Sequence, residues 1–402
     1  MSRGTDGSSF AVGGGGVTET SDVVIVGGGI VGASIAYHLA EAGCVNVLVL
    51  EREPHLGRGS TGKSMGGVRA QFSTELNIRL SLYALDFFGR FEEATGCPGG
   101  YRPQGYLFVA TSEKHGDYLR TNYQLQVECG VNTVELLSPA EVLGRMPHLR
   151  ADDIVGGSFS SADGFVDPYS VMTGFMQRAT EKGVRLWKNA EATAIQQDAQ
   201  GIAAVETTRG PVATRTVVNA AGPWAAQVAA LAGVALPVEP LRRMLVPTEP
   251  FPLIAREAPM TIDMATGFHF RPEGPGILLA WNDPEETPGF KTQFDPAFIE
   301  KILLRAVDRV PCFEALEVNP KRAWAGLYEM TPDHYPILGP VPEVPGLYLA
   351  NGFSGHGVMH SPATGKVLAD LILHGHSDLI DARALNLARF AEGRLIHETA
   401  VL

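Results

Sequence analysis

The chain has 402 residues, 45% of them hydrophobic, with 44 acidic against 32 basic side chains and a formal net charge of −12; this is enough apolar material for about two to three domains of ~150 residues. The acidic balance argues against nucleic acid or an anionic membrane surface as the main partner, and no apolar run reaches the ~18 residues of a membrane span. Cys44, Cys97, Cys129 and Cys312 lie far apart with no CxxC pair, which excludes a disulfide scaffold and a sequence-readable metal site and fits a reducing, cytoplasmic setting.

Residues 1–20 are small and polar with a four-glycine run. They lack the apolar stretch of a signal peptide and read as a disordered tail. Val23-Val24-Ile25-Val26 is a short continuous apolar run, expected to be a strand buried on both faces. Gly27-Gly28-Gly29-Ile30-Val31-Gly32 follows, then a helix over Ala33 to Glu41 ended by Gly43, and a second buried strand, Val47 to Leu50, closing on Glu51. Strand, glycine turn, helix, strand and acid form a βαβ unit. In it Gly27 permits the tight turn, Gly29 lets backbone amides approach a pyrophosphate, and Gly32 lets the helix pack on the strand. Glu51 stands where a carboxylate accepts hydrogen bonds from an adenosine ribose. The motif does not separate FAD from NAD.

Gly59 to Arg69 is rich in glycine and hydroxyl residues but lacks the full GxxxxGK[ST] spacing of a phosphate loop. The guanidinium of Arg69 suits a substrate carboxylate, and equally a surface ion pair. Residues from about Tyr101 to Ala110 and from about Glu239 to Asn282 have the texture of antiparallel strands, interrupting the first domain. Thr216 to Asn219 and Leu347 to Ala350 read as further buried strands, each running into a small-residue turn. After the second, Gly352-Phe353-Ser354-Gly355-His356-Gly357 opens onto a helix with Ser361 as N-cap and Pro362 at its first position, so its amides face developing negative charge. For His356 and for His269, on an apparent strand, a structural hydrogen-bonded role stands beside a catalytic one.

Taken together, VVIVGGGIVG, GSTGKSMGGVRAQF, VVNAAGPWA, FRPEGPGILLAW, RAWAGLYEMTPDHYPILGP and NGFSGHGVMHSPATG resemble the D-amino-acid oxidase superfamily of flavoproteins. The branch is that of glycine and sarcosine oxidases, dimethylglycine and sarcosine dehydrogenases and the proline dehydrogenase beta subunits. The resemblance runs from Asp22 to about Leu373. It implies FAD in a p-hydroxybenzoate-hydroxylase-like fold: an α/β, Rossmann-type FAD-binding domain (21–98, 160–236 and 322–402) with an inserted antiparallel-sheet substrate domain (99–159 and 237–321). By motif, Gly27, Gly29, Ile30, Gly32, Glu51, Arg52, Ser60 and Thr61 hold the ADP half and linker, and Ala192 contacts the adenine through its backbone. Ala220, Gly222 and Trp224 line the cofactor. Gly326, Gly352, Gly355, His356, Gly357 and Val358 lie against the isoalloxazine. Arg69, His269, His356, Trp324, Asp333 and Met359 face or border the substrate.

Departures from the family matter as much. Lys63 stands where dimethylglycine-type dehydrogenases attach FAD to a histidine, and Gly326 where monomeric sarcosine oxidases attach it to a cysteine, so noncovalent FAD is expected. Leucine in Gly276 to Trp281 replaces the oxygen-activating lysine of those oxidases, and Met359 replaces a carboxylate-binding lysine. The resemblance thus implies a dehydrogenase oxidising a secondary or tertiary amine or amino acid, N-methylated or proline-like, to an imine. The electron acceptor would be a quinone, a flavoprotein or oxygen, with a second subunit as a further partner. A 2-hydroxy-acid oxidoreductase and a non-catalytic flavoprotein assembly factor or subunit are the alternatives.

Overall fold

A computed structural model describes residues 19–396. Val23–Val26 lies inside a six-stranded sheet ordered 337–340, 347–351, 217–219, 23–26, 47–51, 185–188. Every pairing is parallel except that of the edge strand Ile337–Pro340. Such a sheet needs cover on both faces, which is why its strands read as unbroken apolar runs. On one face Val23, Ile25, Val47 and Val49 meet helices Ile30–Glu41, Glu75–Gly89, Pro168–Glu181 and Gly357–His374. On the other, Val24, Val26, Leu48 and Leu50 meet the meander 192–213 and helix Ala225–Ala230.

An eight-stranded sheet, ordered 324–330, 239–247, 276–280, 269–273, 260–263, 106–110, 156–160, 134–137, stands against it. Alternation along each strand gives it two unlike faces. Leu107, Val109, Val246, Phe270 and Leu279 form a core closed by helix Phe298–Arg309. Tyr106, Phe108, Leu245, Leu278 and Ala280 cluster on the opposite face with Met65 from the loop after the βαβ unit. The chain therefore has the expected architecture, a Rossmann-type sheet joined to a largely antiparallel one.

Four particulars differ from the sequence reading. Residues 1–18 of the expected tail lie outside the described residues, and Glu19–Thr20 pair in parallel with Val212–Ala213. Strands Met260–Asp263 and Tyr106–Ala110 are parallel, since a long excursion through the other sheet joins them instead of a hairpin. Trp324–Met330, placed by sequence with the C-terminal FAD-binding block, pairs along its length with Glu239–Pro247, and its alternation of buried Ala325 and Leu327 with cavity-side residues suits that sheet. The last long helix starts at Gly357, so Pro362 sits inside it. The carbonyl of Val358, which loses its usual donor to the proline, instead accepts from the Ser361 hydroxyl at 2.9 Å. Among the described residues no helix is long and apolar enough to cross a membrane.

Candidate active site

Where the parallel strands end, the glycine turn is built by close approach. Gly27 has φ +117°, and a Cβ there would collide with the carbonyl of Ala220 at the end of the neighbouring strand. Gly32 packs on the Gly27 carbonyl, seating helix Ile30–Glu41 on its strand, and it lies behind the cavity wall instead of in it. The N-terminal residues Gly29, Ile30 and Val31 open into a cavity of about 400 Å³, within the usual range for cofactor sites. The helix carries no acidic residue in its first turn, so its positive end is available to an anion. Glu51 accepts from the backbone of Gly28 at 3.2 Å and of Glu53 at 2.8 Å. Burial nonetheless pushes its carboxyl above the ordinary range. The Thr61 hydroxyl accepts from Ile30 N at 3.1 Å, Ser60 donates to Leu327 O at 2.7 Å, and the Arg52 guanidinium lies 3.8 Å over the Trp224 ring. Ala192, Ala220 and Gly222 complete this end of the cavity.

At the other end the wall is the sheet face carrying His269, Leu245, Ala280 and Tyr328, opposed by the turn and helix start Gly355 to Met359. Arg69 reaches in from the loop after Gly67–Val68. Its guanidinium stacks 3.8 Å over the Phe72 ring, and Nη1 donates to Gln71 O. Asp163 anchors that loop, accepting from Ala70 N at 2.9 Å and Gln71 Nε2 at 3.0 Å, while burial lifts its carboxyl to about 6. His269 Nδ1 lies 2.8 Å from Gly267 O, which assigns the proton to Nδ1 and leaves Nε2 as an acceptor. Burial lowers its basicity, with Arg69 and Arg243 adding to the effect. His356 is pushed down to about 3, chiefly by burial and then by Arg69. Burial thus favours the neutral form of both imidazoles.

Most residues named from the sequence converge on this one cavity, and Gly326, Gly355, Gly357, Val358 and Met359 line it beside those above. Asp333 does not. It forms a buried pair with Arg389, at 2.7 and 2.9 Å, and therefore holds the chain's C-terminal segment, not substrate. Gly352 also stays off the wall. Its left-handed φ of +75° turns the chain, and its N–H donates to Glu329 Oε2 at 3.0 Å. Trp324 turns its indole to Lys63 O at 3.0 Å. Sequence reasoning missed Tyr106, Arg243, Tyr328 and Glu329 on the wall. Period-two spacing from Gly326 points to Tyr328, and from Leu245 to Arg243. Burial raises the Tyr328 hydroxyl above its ordinary range, against the pull of Arg243 and Arg69, and lifts Glu329 to about 7.

A nucleotide cradle at one end and a cationic, histidine-bearing pocket at the other is the plan of a flavin oxidoreductase. The chain belongs to the FAD dependent oxidoreductase family, which it matches over residues 22–371. FAD is thus its cofactor, and the cradle at Gly27 to Ile30 fits the dinucleotide. The chain is 33% identical to the bovine (Bos taurus) FAD-dependent oxidoreductase domain-containing protein 1, over 96% of this chain and 87% of that protein. It is 30% identical to rat (Rattus norvegicus) mitochondrial dimethylglycine dehydrogenase over 90% of this chain, spanning only 44% of that protein. Among solved structures, L-proline dehydrogenase from P. horikoshii superposes with a TM-score of 0.88 at 30% identity, covering 94% of this chain and all of that one (100%). Glycine oxidase from Geobacillus kaustophilus gives 0.81 at 29% identity, covering 92% and 99%.

Proposed function

We propose that this chain is a dehydrogenase of secondary or tertiary amino acids, N-methylated or proline-like, converting the amine to an imine, or to an iminium ion where the nitrogen is tertiary. The observation carrying this reading is a pocket whose lining brings Arg69 together with His269 and His356, the basicity of both imidazoles being lowered by burial. Bound FAD supplies a hydride acceptor at N5. The protein's part is orientation and desolvation. Arg69 holds the carboxylate. The positive fields of Arg69 and Arg243 disfavour a substrate ammonium, so the amine binds neutral, with its lone pair available to assist loss of hydride from the adjoining carbon. Val358, Met359, Leu245 and Ala280 exclude water, and the helix starting at Gly357 would offer its positive end to a flavin held against it.

The names of the relatives support an amine donor: dimethylglycine and sarcosine dehydrogenases, and L-proline dehydrogenase. A 2-hydroxy acid needs a base for its hydroxyl proton, and burial makes His269 and His356 poor ones. The reading includes noncovalent FAD, an acceptor that is a quinone, a flavoprotein or oxygen, a cytoplasmic setting consistent with four free cysteines, and the division into a discontinuous FAD-binding domain and a substrate domain. An anaerobic titration of the FAD-loaded protein with proline, N-methyl amino acids, simple amines and 2-hydroxy acids tests it through bleaching of the visible flavin band. Bleaching by the amino acids, with dye reoxidising faster than air, is the expected result, and bleaching by hydroxy acids alone overturns it. Arg69→Ala should weaken carboxylate substrates by ~10–100-fold and leave amines without a carboxylate unaffected.

A further inference from the structure

Arg243 is a second cation on the cavity wall, and among the described residues it has no counter-ion. It sits on strand Glu239–Pro247 opposite Gly326, two residues from Leu245, which faces Ala280, which in turn faces His269. Arg243 therefore shares the cavity face with His269. Its Cζ lies 5.3 Å from the Tyr328 ring, and Nη1 donates to Arg242 O at 3.3 Å. Nε is sealed from solvent without a hydrogen-bond partner, and no carboxylate pairs with the guanidinium among the described residues. The acids whose fields reach it are committed elsewhere. Glu286 holds Arg242 at 2.6 Å and Lys291 at 2.7 Å, and Asp283 holds Lys301 at 2.8 Å. Sealing the Nε–H from water without a partner is costly, and the guanidinium's fork of N–H donors matches a carboxylate. Arg69 and Arg243 both line this one cavity, and the charge of each reaches His269 and Tyr328.

We propose that Arg243 receives a second acidic group, so that the substrates are secondary amino acids carrying two carboxylates, one at Arg69 and one at Arg243. The assignment of amine chemistry rests on the proposed function, but the two-anion pocket does not require it. Arg243 stands on the eight-stranded sheet, whereas the helix start that fits the pyrophosphate belongs to the βαβ unit.

Binding is read first, without turnover, from perturbation of the flavin spectrum of the FAD-loaded protein. The probes are succinate and glutarate against butyrate and pentanoate. The diacids should bind ~10–100-fold more tightly. Arg243→Gln should erase most of that preference, and Arg243→Lys should leave an intermediate one. Equal affinity for diacids and monoacids, or an Arg243→Gln variant weakening both alike, overturns the proposal. Should Arg243→Gln lose its FAD, Arg243→Lys decides, an undiminished diacid preference again counting against it. Anaerobic bleaching by N-methylaspartate and N-methylalanine then separates the two readings. A diacid preference with no bleaching by either amine refutes the amine chemistry and leaves the Arg243 assignment standing. Bleaching by both at equal affinity does the reverse.

Discussion

Asp333 and Arg389 meet with side chains only 1% and 0% exposed, and Arg389 also donates to the carbonyls of Leu385 and Tyr335. A buried guanidinium that loses its carboxylate is left uncompensated, at a cost of about 3–5 kcal/mol. Asp333→Asn should accordingly lower the melting temperature by roughly 4–6 °C while the folded fraction keeps its affinity for carboxylate ligands. A selective loss of ligand affinity would return Asp333 to the substrate site. Burial works against this carboxyl, but the hydrogen bonds and charge of Arg389 hold it below the ordinary range. Its stabilisation is full above the unfolded value of ~3.9 and lost as pH falls through the folded one, so parent and variant should converge in acid. Glu329 has the opposite sign. Burial raises it from 4.5 to about 7, against hydrogen bonds from Gly352 and Phe353. The fold favours its protonated form, and stability is lost as pH rises from 4.5 through about 7. Glu329→Gln should therefore be more stable than the parent at pH 8, by about 1–3 kcal/mol, with the difference gone near pH 4; equal stability at pH 8 would refute it.

Helices Ile30–Glu41 and Gly357–His374 cross at Gly365, and this contact fixes the glycine turn relative to the substrate end of the cavity. A Cβ on Gly365 would meet the Ser34 hydroxyl and carbonyl and His38 Nδ1. His38 is itself held by Ser34 O at 2.8 Å and driven by burial to about 4, so this seam is neutral and closely fitted. Gly365→Ala must spread the helices or expel the imidazole. Overpacking of this kind costs about 1–3 kcal/mol, and the second effect should be weaker FAD retention as the turn shifts. A variant with unchanged melting and FAD content would show that the seam can relax. The βαβ unit was legible because its strands, turn, helix and acid all lie between Val23 and Glu51 and each is set by local pattern. Much of the cavity wall was not, because membership depends on register across strands distant in sequence, as with Arg243 opposite Gly326. The place of Asp333 was hidden too, by distance along the chain. Its partner lies 56 residues away, and nothing local announces it.

Across the whole molecule, the cavity joins the two sheets. Its wall takes Gly27 to Arg69 and Ala190 to Trp224 from one side and Arg243, His269, Ala280 and Tyr328 from the other. FAD bound there should couple them. At a hundredfold excess over Kd, a ligand specific to the native state adds about 2.7 kcal/mol, several degrees for a chain of this size. No side chain of the attaching kind is present at the two family positions: one is Lys63, and at the other, Gly326, a Cβ would abut the Lys63 Cβ at 2.7 Å. Acid precipitation should therefore release all the flavin to the supernatant. The stripped protein should melt lower and in two steps, one per sheet, while added FAD should restore a single step whose midpoint climbs with FAD concentration. A yellow pellet would refute noncovalent attachment. A midpoint indifferent to FAD would mean that the sheets hold together through Arg271 to Met65 (3.0 Å) and Trp324 to Lys63 (3.0 Å) without help from the cofactor.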